Sequence, residues 1–463
     1  MTRAPRYPSG PVLGSSDAEP RREQGLTERE NRTKWRAAIS RTPRHASGPV
    51  LGLLDIGTSK VVCLIVALEP RGPCILSGMQ TAFRVRGIGH QRSRGIKAGV
   101  ITDLAEAETA VRAAVDQAEQ MAGVGLEEVY VSVACGRPKS ELFAANADVD
   151  GGIIADRHIN RVLSGARAYA ERDGRMLVHM NRVGYRLDEA PGGGDPRGLA
   201  ANRLTVDLHT VSVDDAPLRN LMLLVDRCYL EIAGLVVTPY ASALAATSAE
   251  ERRLGVTVID IGGGVTSVAL FADGRFVHAD TLPIGGLHLT SDIARGLHTP
   301  LAEAERIKAL YGTLSTAPSD GREAFSFPLT GEEHGVMSQT TKAALSEILR
   351  PRMASLMGLI DERLEKSGMR SWAGERVVLT GGTSQLVGCD GFVANLMGAP
   401  VRVSGPDGAA ALPGSISVPA FSTVVGLVAA AVAGDGLVDA RQERNVLSQS
   451  YIQGVGKWLM DGF

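Results

Sequence analysis

Several things are scarce in this 463-residue chain, and each scarcity closes a route. Its five cysteines, Cys63, Cys74, Cys135, Cys228 and Cys389, are scattered and odd in number, and none forms a C-x-x-C pair. That excludes a disulfide framework and a thiolate zinc site, and it suits a reducing compartment. No stretch reaches the roughly 18 consecutive apolar residues of a spanning helix. The longest candidate, VVGLVAAAVAG at 424–434, reads as a buried helix of small side chains. The N-terminus lacks an apolar signal core, so the expected compartment is the cytoplasm. A net charge of −2 gives no general pull toward nucleic acid, and no nucleic-acid partner is expected. Neither G-x-x-x-x-G-K-[ST] nor G-x-G-x-x-G occurs, which disfavours a P-loop or a Rossmann site.

What is present divides unevenly. Residues 1–49 carry ten Lys or Arg against five acids, with many Pro, Ser and Gly and few apolar side chains. Such a stretch cannot bury enough surface to offset the entropy of ordering, and disorder is expected there. The hexamer SGPVLG occurs at Ser9 and again at Ser47, without a physical explanation. Order is expected to begin with VLGLLDIGTSKVVCLIVAL (50–68), two apolar runs around a Gly-Thr-Ser turn, a β-hairpin. A helix with Ala107, Val111, Ala114, Ala118 and Met121 at helical spacing follows, then a strand, VYVSVAC. From about 134 to 212 the pattern is irregular and reads as a small α+β unit. After it, GVTVIDIGGGVTSVALF (255–271) repeats the strand–turn–strand module, with Asp260 lying 205 positions after Asp55. A repeat at that distance indicates duplicated domains. The long helix TTKAALSEILRPRMASLMGLIDERLEKSG contains Pro351, which should kink it or mark a helix start.

The chemistry concentrates in the turns. In DIGTSK, a glycine and two hydroxyl residues can aim backbone N–H groups and hydroxyls at phosphate oxygens. An aspartate at the strand end can hold a hydrated Mg²⁺. A plain hairpin with a turn-initiating Asp would read the same. In DIGGG, three consecutive glycines permit something to approach the backbone closely, phosphate being the usual candidate. VVLTGGTSQL (377–386) delivers two more glycines from a strand end. Between them, AEAERIKALYG carries Glu305 and Lys308 on one face, which alone read as a solvated i,i+3 ion pair.

Two D-I-G hairpins, then A-E-x-x-K, then L-T-G-G resemble the actin and Hsp70 ATPase superfamily, and within it the FtsA family of bacterial cell-division proteins. The resemblance covers about residues 50–463 and rests on LDIGTSKV, NRLTVDLH, ERRLGVTVIDIGGG, GLHLTSDIA, LAEAERIK, LSEILRPR and VVLTGGTSQLVG. It implies an α/β, actin-like duplicated ATPase fold: two domains around a nucleotide cleft, with an α+β insertion and a C-terminal amphipathic helix. By that analogy subdomain 1A is split over 50–133, 213–251 and 417–438, with 1C inserted at 134–212. Subdomain 2A falls at 252–281 and 346–416, 2B at 282–345, and a linker at 439–450 leads to the helix 451–463.

The implied ligands are ATP and Mg²⁺. Asp55, Gly57, Thr58, Ser59, Lys60, Gly262, Gly263 and Gly264 would meet the phosphates. Glu305, Lys308, Gly381, Gly382 and Thr383 would meet adenosine, and Asp55 and Asp260 the metal through water. The run DIGGGVTS departs from the commoner DIGGGT-x-D, since Val265 replaces a phosphate-facing Thr and Ser267 an acid. Nucleotide binding is compatible with those changes; rapid hydrolysis is not expected, and no catalytic residue is assigned.

The last thirteen residues, YIQGVGKWLMDGF, place Tyr451, Ile452, Val455, Trp458, Leu459 and Phe463 within an arc of about 140° on a helix. A Trp-bearing apolar face suits the membrane headgroup boundary, although packing on the protein's own core would use the same face. The family likeness implies a membrane-targeting helix. It also implies partners: the C-terminal peptide of the tubulin-like FtsZ, further copies of the chain in filaments, other division proteins through the insertion, and the inner membrane surface. A pilus-assembly adaptor of the PilM type and a small-molecule kinase of the same fold are the alternatives.

Overall fold

The computed structural model describes residues 49–434, except 150, 193–194, 316, 332–336, 373 and 407–411. The extension 1–48, the linker 439–450 and the terminal segment with Tyr451, Ile452, Val455, Trp458, Leu459 and Phe463 lie outside the described residues.

In chain order the first half comprises β1 (Val50–Ile56), β2 (Lys60–Glu69), β3 (Ala82–Arg92), the short β4 (Ile96–Lys97) and β5 (Val100–Ile101), α1 (Leu104–Ala122) and β6 (Glu128–Val133). Next come β7 (Lys139–Asp148), α2 (Asp156–Ala170), β8 (Arg175–Leu187), β9 (Ala190–Gly192) and β10 (Arg203–Asp214). Then follow α3 (Asp215–Arg227), β11 (Glu231–Val237), α4 (Thr238–Ala246) and α5 (Ala249–Leu254). The second half runs β12 (Val256–Ile261), β13 (Thr266–Ala272), β14 (Arg275–Leu282), α6 (Gly286–Leu297), α7 (Leu301–Tyr311), β15 (Ala324–Pro328) and β16 (Met337–Thr341). It closes with α8 (Lys342–Lys366), β17 (Val377–Thr380), α9 (Cys389–Met397), β18 (Val401–Val403) and α10 (Ser422–Ala433).

The duplication is visible in the sheets. The first has strand order β11-β6-β1-β2-β3 and the second β18-β17-β12-β13-β14. In each, an antiparallel hairpin (β1/β2, β12/β13) is extended by a third antiparallel strand on one side. Two parallel strands lie on the other side. Parallel neighbours need crossover connections, and the chain supplies them with α1, α3, α8 and α9. The long apolar strands follow from burial on both faces: Val61 through Ala67 of β2 are fully buried.

Helix α10 is the last described element, yet it returns to the first half and packs in the same core as α4 and β1. That core also takes Val256, Val258, Phe271 and Val378 from one face of the second sheet. The opposite face of the second sheet packs on α6, α7, α8 and α9. The α+β unit between β6 and α3 forms its own antiparallel sheet, β7-β10-β8-β9, with a separate small core under α2.

Residues Leu345, Leu349, Met353, Leu356, Ile360 and Leu364 of α8 form its buried stripe. Pro351 neither starts nor breaks this helix, which runs through it without interruption. Pro351 and Glu347, whose carbonyl loses its partner, are both exposed, so water can serve that carbonyl. Among the described residues no helix is long and apolar enough to cross a membrane.

Candidate functional site: a cleft between the duplicated halves

The two D-I-G turns are built alike. Ile56 pairs with Val61 and Ile261 with Thr266, leaving four-residue turns at 57–60 and 262–265. The Gly57 amide donates to the Lys60 carbonyl and the Gly262 amide to the Val265 carbonyl, each at 3.0 Å. The turns also face each other. A Cβ on Gly263 would lie 2.9 Å from Ser59 Oγ, and one on Gly264 would lie 2.6 Å from Thr58 Oγ1. Gly263 and Gly264 of the second turn are therefore set by the close approach of the first. The Thr58 hydroxyl accepts the Gly99 amide at 3.0 Å, which fixes the turn from behind.

Beneath the turns lie the two aspartates. Ser132, on the neighbouring parallel strand, donates to Asp55 at 2.6 Å. Thr423, at the start of α10, donates to Asp260 at 3.2 Å and ties the two halves together. Burial raises both carboxyls above their usual range, and Asp55 adds repulsion at Asp260, which is held at about 6. Between them, burial lowers the Lys60 ammonium to about 8, against the attraction of Asp55 and Asp260. Lys60 donates to the Ala420 carbonyl and sits 3.6 Å from the centre of the Phe421 ring. Two neighbouring carboxylates with raised affinity for protons, Asp260 buried and Asp55 partly exposed, suit a divalent cation, whose charge would relieve the repulsion between them.

The second half supplies a rim. At the start of α6 the Gly286 and Leu287 amides donate to the carbonyls of Gly262 and Gly263, at 2.9 and 2.7 Å. The Thr383 hydroxyl also donates to Gly262, at 3.1 Å. Lys308 donates to Glu305 at 2.7 Å, to the Thr290 hydroxyl at 2.8 Å and to the Gly286 carbonyl at 3.0 Å. The sequence alone makes Glu305 and Lys308 a solvated pair. In the fold the Lys308 side chain is only 12% exposed, against 50% for Glu305, and it stitches α7 to α6.

All fourteen residues expected to contact nucleotide or metal, from Asp55 and the turn residues 57–60 through Asp260, Gly262–Gly264, Glu305, Lys308 and Gly381–Thr383, line one cleft of about 530 Å³. So do Val265 and Ser267. Sequence reasoning missed Thr423, Thr238, Gly286 and Leu287, which line it too. The Thr238 hydroxyl is buried without a partner. Only the run GGLHLT, a glycine pair opening a helix, carried a legible signal; Thr238 and Thr423 lie in otherwise apolar helices. Leu310 and Val387 expose 61% and 64% of their surface at the mouth, an apolar edge for a flat group. Turn amides, a cation and paired carboxylates in one cleft can hold a phosphorylated ligand with a divalent metal.

Comparison with known proteins places this arrangement. The family model described as cell division protein FtsA matches residues 257–426, and the one described as the SHS2 domain inserted in FtsA matches 136–212. The cell division protein FtsA of Agrobacterium fabrum is 40% identical over 417 residues, covering 89% of this chain and 94% of that relative. The FtsA of Rhizobium meliloti is 41% identical over 378 residues, covering 81% and 86%. The Escherichia coli K12 protein is 27% identical over 419 residues, covering 89% and 97%. Among solved structures, a chain of the PilM–PilN type IV pilus biogenesis complex superposes with a TM-score of 0.58 at 17% identity, over 84% of this chain and 99% of that one. That likeness establishes a shared actin-like ATPase fold. The sequence relationship goes further: the chain belongs to the FtsA family of cell division proteins.

Proposed function

We propose that the cleft binds ATP with Mg²⁺ and that the protein is a polymerising adaptor of cell division. On this reading the turn amides and Lys60 meet the phosphates, while Asp55 and Asp260 hold the metal through water. Glu305, Lys308 and the Gly381–Thr383 segment meet adenosine. Val265 and Ser267 supply neither a hydroxyl at the phosphate-facing position nor an acid, so turnover is slow and ATP acts as a clamp between the halves. The chain then tethers the FtsZ C-terminal peptide to the cytoplasmic face of the inner membrane through residues 451–463. The insertion offers a surface to further division proteins. Many weakly held tails on one filament bind the membrane by avidity.

The observation that carries this reading is the pairing of the duplicated turns. They oppose each other across one cleft, and each follows a strand that ends in Asp-Ile, with Asp260 buried and Asp55 partly exposed. Calorimetric titration of ATP into the full chain, with and without Mg²⁺, tests it. Mg²⁺-dependent binding that is lost in Asp55→Asn is expected. Failure to bind ATP at millimolar concentration would overturn the nucleotide reading. Acceleration of ATP turnover by a small-molecule substrate would replace the adaptor with a kinase.

A further inference from the structure

The inserted unit grows covalently from the first half, between β6 and α3, yet it is moored on the second. Asn181 of β8 donates to the Phe276 carbonyl of β14 at 3.0 Å. Its Oδ1 therefore faces His209 of β10, 3.1 Å away, which fixes the proton on His209 Nδ1. Nε2 then accepts the Ser140 hydroxyl at 2.7 Å, and Ser140 Oγ accepts the Ala279 amide of β14 at 3.1 Å. The chain of bonds thus begins and ends on the backbone of β14, with His209 fully buried and edge-on to Phe276 at 4.8 Å.

At the covalent neck the two ends of the insertion are clasped together. The Asp214 amide donates to the Gly136 carbonyl at 2.7 Å, and its carboxylate takes Arg137 at 2.7 Å and Arg175 at 2.6 Å. Arg175 also donates to the Arg137 carbonyl at 2.8 Å. Gly136 and Arg137 both have positive φ, +78° and +44°, so the neck is a sharp, strained turn held by these ions. The far part of the unit has its own core of Val162, Leu204 and Leu208, while Met176, Val178, Val211 and Val213 at its near end pack in the core of the first half.

Strand β14 leads directly to the cleft. It ends at Leu282, and four residues later the Gly286 and Leu287 amides bond the Gly262 and Gly263 carbonyls. We propose that the insertion is a brace that sets the opening of the cleft: rooted in the core of the first half by Met176, Val178, Val211 and Val213, its neck closed by Asp214, Arg137 and Arg175, and moored to β14 by Ser140, His209 and Asn181. Halves that change their separation must then turn the insertion. By reciprocity, a partner that pulls on the insertion changes the affinity of the cleft for its ligand. Neither the covalent topology nor the ligand reading requires the mooring, and its test needs no ligand.

Amide hydrogen exchange on the full ligand-free chain, wild type against Ser140→Ala, reads the coupling. Faster exchange at Ala279, accompanied by an increase of about tenfold at Gly262, Gly286 and Leu287, is the expected result, with α2 still protected as a control for folding. The proposal fails if Ala279 speeds up while the three cleft amides stay within about twofold of wild type, or if Ala279 does not respond. Should Ser140→Ala also strip α2 of protection, Asn181→Ser is read by the same amides and the same criterion.

Discussion

Gly381 stands against Asp260: a Cβ built on it would lie 2.2 Å from the carboxylate oxygen, and its φ of +84° is one that side chains avoid. The glycine of the L-T-G-G run thus serves the aspartate of the D-I-G run, 121 positions earlier. Gly381→Ala is expected to destabilise the fold by about 2–3 kcal/mol, from backbone strain and overpacking together, and to displace Asp260. Urea denaturation measures the first effect and Mg²⁺-dependent ATP titration the second.

Asp260→Asn should stabilise the ligand-free protein and, on the proposed reading, weaken the binding of Mg²⁺. Burial raises this carboxyl to about 6 from its ordinary 3.8, so the folded state holds the proton more tightly than the unfolded chain. Its contribution is complete below the unfolded value and is lost as pH rises through about 6. At pH 7 the asparagine variant is expected to gain about 2 kcal/mol in urea unfolding, and the wild-type decline between about pH 4 and 6 should flatten. The same variant should lose Mg²⁺-dependent nucleotide binding.

Lys60→Met tests the one ammonium set between the two aspartates. The methionine keeps the stem packed on Phe421 and drops a charge that burial disfavours, so the ligand-free fold should be somewhat more stable at pH 7. ATP affinity should fall at least about tenfold, or about 1.4 kcal/mol. Because burial lowers the Lys60 ammonium to about 8, wild-type affinity should weaken as pH rises past that value, and the variant should lose this dependence. Fluorescence titration over pH 7–9 separates the two.

A chain truncated after Ser450 should fail to sediment with liposomes that the intact chain pellets with. Burying six apolar side chains favours insertion, while Gly454 and Gly456 cost about 1 kcal/mol each in helix propensity. Pelleting of the intact chain should therefore rise steeply with protein concentration as polymers form. Equal pelleting of both chains would remove the membrane tether from the proposal.

The local pattern was enough to read the hairpins, the duplication and the buried helix at 424–434, while the set of cleft residues came from the family resemblance and not from any one motif. Hairpin strands with long apolar runs and glycine-marked turns announce themselves, because burial on both faces and a tight turn leave few residue types that fit. Strands such as β3, RVRGIGHQR within Ala82–Arg92, do not, since a charged, half-exposed strand carries no clean alternation. Pro351 marks no helix start: it sits inside α8, where the exposed Glu347 carbonyl can turn to solvent.

The sequence by itself determined which short segments could bend, bury or approach a phosphate, because those properties depend on each residue and its neighbours. Only the tertiary structure decided who meets whom. Thr423 reaches Asp260 because α10 crosses back to the first half. Lys308 is largely withdrawn from solvent because its ammonium bonds the start of α6. Ser140, Asn181 and His209 close a chain of hydrogen bonds on β14 that their separation in sequence conceals. Such contacts exist only after distant elements have packed, since a hydrogen bond of 3 Å is set by the placement of whole sheets and not by local preference.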